Sequence, residues 1–246
     1  MQSKGTIIYV GGFELPDKNA AAQRVLSIAK ILRELGYDVI FLGVDKTLKK
    51  KEDLFENNYK TQNFIYHAIS YPKTNKEWFF YITSISELKK VINKYNNIKS
   101  IIFYNYQSVA YIKAIHYCKK KGIKVIGDCT EWYDFRDGGF VFRIVKSLDV
   151  FLRMRVIQKR LDGLIVISEY LKKYYNKREN IVKIPPLVDF EEEKWKQKVG
   201  RSKKNVIKFV YSGNPGSNKD KLDIIFNLLK DFKKIELEII GITKNE

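Results

Sequence analysis

Cysteine and histidine are scarce in this chain. Cys118 and Cys129 form no CxxC pair, and His67 and His116 each stand without neighbouring ligand types. A disulfide framework and a zinc site are therefore not indicated, and both histidines read as ordinary side chains, His67 at a strand edge and His116 on a helix. Asp-x-Asp, the metal-binding signature expected of single-domain nucleotide-sugar enzymes, is missing too, and no metal and no cofactor are expected. No apolar run approaches the about 18–20 residues that span a bilayer, and the first residues do not show a basic-then-apolar leader. The default reading is a cytoplasmic, reducing location.

Acidic residues are in short supply as well: 28 against 46 Lys and Arg, a net charge of +18 on 246 residues. Such a surplus draws a chain toward something anionic, whether nucleic acid, an acidic membrane or a phosphorylated substrate. Nucleic acid ranks last, because no helix-turn-helix, RRM-like or zinc signature is present. The hydrophobic fraction is 45%, which argues for a folded core rather than disorder.

What is present is a repeated βα alternation. Thr6–Val10 is a short apolar run ending in Gly11-Gly12, a buried strand. A helix follows from about Asn19, with Val25, Ile28, Leu32 and Leu35 at helical spacing and Gly36 at its end. Asp38–Val44 is the next strand. Further on, the pattern predicts a strand over Phe64–Ile69, one helix over Trp78–Asn93, a strand over Ser100–Tyr104 and a helix over Gln107–Lys121. Ile123–Gly127 is a strand ending at Asp128. Phe140–Leu161 is a long helical pattern with a break near Asp149. Leu164–Ile167 and Ile181–Ile184 are strands, with Ser168 as the N-cap of a short helix, Glu169–Tyr175, between them. Residues 190–204 are charged and poor in aliphatics, a linker. From Val206 the pattern restarts: a strand, a glycine loop, a helix to about Phe232 and a strand over Leu237–Ile240. The expected fold class is α/β, a Rossmann-like doubly wound parallel sheet in residues 1–189, then the beginning of a second such domain in residues 205–246. Ligands in such sheets bind in the loops after the strands.

Four loops or helices carry chemistry-bearing residues, each with two readings. Gly11-Gly12 suits the close approach of an anion to backbone N–H groups, and equally a tight strand-to-loop turn. It is neither a dinucleotide fingerprint nor a P-loop. Gly213-Asn214-Pro215-Gly216 with Lys219 suits a diphosphate whose charge grows as it leaves, and equally a βα turn with a solvated lysine. Asp128-Cys129-Thr130-Glu131-Trp132-Tyr133-Asp134 gathers three carboxylates and two aromatics, fit for sugar hydroxyls, ring stacking and proton handling. Its other reading is Asp128 as a cap and Trp132 as interdomain packing, and function is favoured. The helical stretch Phe140–Arg160 carries Arg143, Lys146, Arg153, Arg155, Lys159 and Arg160 among large apolar residues. Packing on the sheet is favoured over a basic amphipathic helix on an anionic membrane, and both hold if one end protrudes.

In order and spacing these pieces resemble glycosyltransferase family 4, with two facing Rossmann-like domains, the GT-B architecture. The resemblance is carried by Gly11-Gly12 before Ala20-Ala21-Ala22-Gln23-Arg24-Val25, by Leu32–Val39, by Leu161-Asp162-Gly163-Leu164-Ile165-Val166-Ile167-Ser168, by Ile184-Pro185-Pro186-Leu187-Val188-Asp189 and by Tyr211-Ser212-Gly213 with Lys219-Asp220. The sequence departs from the family at Asn214, where arginine is usual, at Asp220, where glycine is usual, and at Asp128–Asp134, where many members carry a histidine. The resemblance implies metal-free, retaining transfer of a sugar from a nucleotide-diphosphate-sugar donor to a hydroxyl acceptor, saccharide or lipid-linked, in capsule or other cell-surface polysaccharide assembly at the cytoplasmic membrane face. It implies donor binding by Gly11, Gly12, Gly213, Asn214 and Lys219. Glu131 and Asp128 are the catalytic candidates, and Arg24, Trp132 and Ser168 the acceptor-binding ones. The family's paired glutamates would lie beyond Glu246, so this piece is expected to turn over little on its own. The competing class is a non-catalytic binding or remnant module.

Lys219→Ala in a complete enzyme is expected to weaken binding of the nucleotide diphosphate. An unchanged calorimetric affinity refutes the assignment.

Overall fold

The computed structural model describes residues 3–48, 58–132, 140–176, 179–196, 206–213, 221–230, 232 and 234–241. They fall into two compact units, Met1–Asp189 and Phe190–Glu246. Tyr133, Asp134, Asn214, Lys219 and Asp220 lie outside the described residues.

The first unit is built on an eight-stranded sheet. In chain order its elements are β1 (Thr6–Gly11), α1 (Ala20–Glu34), β2 (Asp38–Asp45), β3 (Asn58–Thr61), β4 (Phe64–Ser70), α2 (Asn75–Thr83), α3 (Ser86–Lys94), β5 (Ile98–Tyr104), α4 (Ser108–Lys120), β6 (Lys124–Cys129), α5 (Phe140–Phe151), β7 (Gly163–Val166), α6 (Glu169–Tyr174) and β8 (Ile181–Lys183). The strand order is β3-β4-β2-β1-β5-β6-β7-β8. Seven strands run parallel, and β3 joins the edge antiparallel to β4. This is the expected Rossmann-like sheet. The winding reverses between β1 and β5, where a doubly wound sheet opens its crevice.

Successive strand side chains point to opposite faces, and both faces here are covered. Ile8, Val10, Ile101 and Phe103 pack with Leu88 and Val91 of α3, Ala110, Tyr111 and Ala114 of α4, and Met154 and Ile157. Ile7, Tyr9, Phe41 and Ile102 pack with Ala22, Val25, Ile28 and Ala29 of α1. Double coverage explains why the strands read as continuous apolar runs rather than alternating ones. Asn19 caps α1, its side chain accepting from the Ala22 amide at 2.8 Å. Gly36 follows the helix at φ +91, where a Cβ would be strained. Leu35, expected on the buried face, is instead the C-cap and 54% exposed.

Five local expectations change. The single helix over Trp78–Asn93 is two helices, because Ser84 is extended between them (φ −98, ψ 149). Hydroxyls there compete with the helical ladder: Thr83 Oγ1 donates to the Phe79 carbonyl at 2.6 Å, and Ser84 Oγ accepts from the Ser86 amide at 3.2 Å. The start of α2 also lies earlier, fixed by a capping box between Thr74 and Glu77. Strand β3 was not legible, since its hairpin turns on Gln62 (φ 45) and Asn63 (φ 65) without the usual glycine. The helical stretch from Phe140 does not break at Asp149; it widens into π turns over Leu152–Ile157 and ends in a 3-10 turn, Gln158–Arg160. His67 is fully buried in β4, between β2 and β3, with Nε2 at 2.7 Å from the Tyr95 hydroxyl.

The second unit holds a 3-10 turn, Glu193–Trp195, and a βαβ element: β9 (Ile207–Ser212), α7 (Leu222–Leu229) and β10 (Ile235–Ile240), the strands parallel in register from Ile207–Ile235 to Ser212–Ile240. Lys208 pairs with Glu238 across them. Gly213 ends β9 at φ +144, and its amide donates to the Ile240 carbonyl at 2.9 Å. Ile207, Phe209 and Val210 remain exposed, as do Ile224, Phe226 and Leu228 on the helix.

Gly43 in β2 leaves room for the loop after β1. A Cβ there would lie 2.6 Å from the Phe13 carbonyl oxygen, which already accepts from the Val44 amide at 3.0 Å. Because the obstacle is hydrogen-bonded backbone, Gly43→Ala is expected to destabilise the fold by about 1–3 kcal/mol, read as a lowered urea midpoint. A midpoint equal to that of the parent chain counts against this packing.

Candidate functional site

The carboxyl ends of β1, β5 and β6 meet at the reversal of strand order. The loop after β1 starts with Gly11, whose hypothetical Cβ would fall 2.8 Å from both Cβ and the carbonyl oxygen of Tyr104. Gly11 is thus required by the close approach of β1 to β5, whatever else it does. Gly12 differs. It is exposed, and among the described residues only the Tyr81 hydroxyl comes near its missing Cβ, at 3.4 Å. Its backbone is therefore the accessible one of the pair.

Asp128 closes β6 and is fully buried. The Tyr9 hydroxyl donates to its Oδ2 at 2.5 Å. Arg24, from α1, donates through Nε to both carboxylate oxygens at 3.1 Å and through Nη2 to Oδ1 at 2.7 Å. The remaining guanidinium arm, Nη1, donates to the Ile184 carbonyl at 2.9 Å. Burial pushes the Asp128 carboxyl up, opposed by Arg24 and Tyr9. Burial also works against the charge of Arg24, but the hydrogen bonds and charge of Asp128 outweigh it and raise the guanidinium pKa. With a planar fork on the carboxylate and a hydroxyl beside it, the pair is ionic.

This geometry corrects two expectations. Asp128 has no surface with which to meet an acceptor or take its proton, and Arg24 is spent on Asp128 and Ile184 rather than on a ligand. Ser168 is likewise engaged, its Oγ accepting from the Leu171 amide at 3.3 Å as the N-cap of α6. Trp132 packs edge-on against Tyr170 and Tyr174, with ring centroids 5.8 and 4.7 Å away, and Arg155 lies 5.9 Å from its ring. It is nevertheless 38% exposed, as a stacking platform must be. Among the described residues of this segment, Glu131 is the exposed carboxylate. The ends of β5 and β6 are held together by Asn105, whose Nδ2 donates to Thr130 Oγ1 at 2.7 Å.

On the other side of β1 lies a cavity of about 490 Å³. Its floor is the carboxyl end of the sheet: Val10, Gly11, Leu42, Gly43, Ile69 and Ser70. Its wall is α2 and the start of α3, with Lys76, Glu77, Phe80, Tyr81 and Glu87, and Tyr106 closes it. Burial pushes the Tyr81 hydroxyl up to about 12 and raises that of Tyr106, so both stay protonated and can donate hydrogen bonds. The sequence reading passed over this wall. Its signal was the Thr74–Glu77 capping box leading into Trp78-Phe79-Phe80-Tyr81, four consecutive aromatics that a core-facing helix does not need.

Among the described residues, no group of three His, Cys, Asp or Glu side chains could hold a metal ion, and no helix is long and apolar enough to cross a membrane.

No protein-family model matches the chain, and no curated protein matches it in sequence. Among solved structures, a similar one is the crystal structure of Arabidopsis thaliana UGT89C1 complexed with UDP-L-rhamnose. The TM-score is 0.47 at 11% identity, over 87% of this chain and 58% of that one. The likeness is too slight to bear on the site.

Breaking a buried ion pair strands the surviving charge at a cost of about 3–5 kcal/mol. Arg24→Ala is expected to lose stability on that scale, whereas Glu131→Gln, at an exposed position, should stay within about 0.5 kcal/mol. Equal urea midpoints for the two variants contradict the structural role given to Arg24.

Proposed function

We propose that the chain belongs to a glycosyltransferase that moves a sugar from a nucleotide-diphosphate-sugar donor to a hydroxyl acceptor, and that the first unit binds the acceptor. The observation that carries this reading is the cavity over the carboxyl ends of β1, β2 and β4, beside Gly11 and Gly12 and next to the reversal of strand order. Ligand sites of open α/β sheets gather there. The cavity joins apolar walls to a few polar groups, the usual make-up of a small-molecule site. The order of motifs along the chain supports the same class.

In this reading the accessible backbone of Gly12, next to Gly11, contributes to holding donor phosphates, and Gly213, Asn214 and Lys219 are the donor-binding residues of the second unit. Backbone amides and a lysine would stabilise the leaving group without a metal. Glu131 takes the proton-handling role, since its carboxylate is exposed and that of Asp128 is not. Trp132 offers a ring face to a sugar. Retention at the anomeric carbon, a lipid-linked acceptor and a place in cell-surface polysaccharide assembly at the cytoplasmic membrane face are parts of the proposal that rest on the motifs alone.

Two binding measurements test it. Nucleotide diphosphates and their sugars are screened for a rise in melting temperature, with at least one expected to stabilise the protein. An alkyl glycoside is then titrated calorimetrically into the parent chain and into Ser86→Trp, which puts an indole at the cavity wall. Affinity is expected to fall at least tenfold in the variant. If no nucleotide raises the melting temperature and no alkyl glycoside binds, the reading fails.

A further inference from the structure

The helical layer over one face of the sheet leaves its own outer surface apolar. In α5, Ile144, Leu148 and Phe151 recur at the spacing of one helix face, with Val145 beside them, and all four are 51–58% exposed. The opposite side of the same helix carries the buried Val150. In α4, Val109 and Ile112 point outward at 43% and 49% exposure; in α2, Phe79 and Phe80 do so at 62% and 54%. The three helices are neighbours, α2 against α4 and α4 against α5. Lys113 Nζ of α4 donates to the Thr83 carbonyl at the end of α2, at 2.7 Å, and Asp149 of α5 accepts from the Ser108 amide at the start of α4, also at 2.7 Å. The exposed side chains therefore belong to one continuous surface.

Among the described residues, cationic side chains dominate the charge on that surface. Lys76, Lys113, Arg143 and Lys146 stand among the apolar groups. Helices α4 and α5 together contain a single carboxylate, Asp149. Its oxygens are engaged by the Ser108 amide and, at 3.7 Å, by Arg153. Glu77, the acid of α2, is turned back on its own helix start, where it accepts from the Lys73 amide at 2.7 Å.

We propose that the α2–α4–α5 face is a docking surface for an anionic lipid bilayer. Aromatic and aliphatic side chains would enter the headgroup boundary while the lysines and Arg143 meet lipid phosphates, as in helices that lie in the plane of an interface. Apolar area with cationic groups and, among the described residues, almost no free carboxylate suits a lipid surface better than a protein partner, whose interface would bring charges of both signs. Phe80 and Lys76 also line the cavity beneath α2, so the docked face and the proposed acceptor site share a helix. The inference does not depend on the transferase reading.

The test is co-sedimentation of the full chain with vesicles of phosphatidylcholine alone and of phosphatidylcholine mixed with phosphatidylglycerol. The chain is expected to pellet with the anionic vesicles and stay in solution with the neutral ones, with binding reduced at high salt. Phe79→Ser combined with Leu148→Ser is expected to lower the bound fraction at least tenfold at an unchanged melting temperature, both positions being exposed. Failure to bind anionic vesicles, equal binding to neutral ones, or an unaffected double variant overturns the proposal. So does a lipid-free dimer in sedimentation velocity that the double variant dissociates while vesicle binding stays intact, for then the face serves a second copy of the chain. No substrate enters the assay, so its failure leaves the transferase reading standing.

Discussion

One buried ion pair organises the carboxyl edge of the first unit. Arg24 and Asp128 lie 104 residues apart in sequence, on α1 and β6, and meet in the interior with Tyr9 of β1. The guanidinium reaches further, to the Ile184 carbonyl beyond β8. The pair, with the Tyr9 hydroxyl, thereby ties together the first helix, two central strands and the passage that ends the unit. Lys30, on the same helix as Arg24, pairs with Asp189 at the end of that passage. Charges so far from water are held by their partners or not at all. Their presence specifies how α1 must sit over the sheet, which in turn places the loop that carries Gly11 and Gly12.

The same edge shows how packing and function divide one short motif. Gly11 has no room for a side chain because Tyr104 is against it, so its identity is explained within the fold. Gly12 has room and uses none of it. Adjacent glycines that look alike in sequence thus have different causes. The division recurs after β6. Asp128 and Cys129 are inside, the thiol pushed up to about 12 by burial and so inert. Glu131 and Trp132, two and three residues on, are at the surface. A strand that ends at a crevice changes from core to site within a few residues, and the loop residues are the ones free to serve chemistry.

That boundary also explains what could be read from the sequence alone. Strands buried on both faces announce themselves as apolar runs, so β1, β2, β5 and β6 were legible to within two residues at either end. The helix start near Asn19 was legible too, as were the terminal glycine Gly36 and the N-cap Ser168. Three features were not. Strand β3 has its turn on Gln62 and Asn63, a weak signal. The break between α2 and α3 depends on hydroxyls at Thr83 and Ser84 that either join a helix or compete with it. The fate of Asp128 depends on Arg24 more than a hundred residues away, and a long-range partner leaves no local mark. Asp128 therefore looked like one more carboxylate in an acidic, aromatic loop.

The long pattern from Phe140 shows the same limit from the other side. Apolar spacing alone says that a helix has a greasy stripe, not what covers it. Here the stripe is divided between two environments. Met154 and Ile157 reach the core where the helix widens into π turns, and Ile144, Leu148 and Phe151 do not. A π turn adds a residue per turn and rotates the stripe that follows it, so a face outward before Leu152 need not stay outward after it. Packing on the sheet and an exposed apolar surface were alternatives in the sequence. In the folded chain each holds over its own half of the same segment.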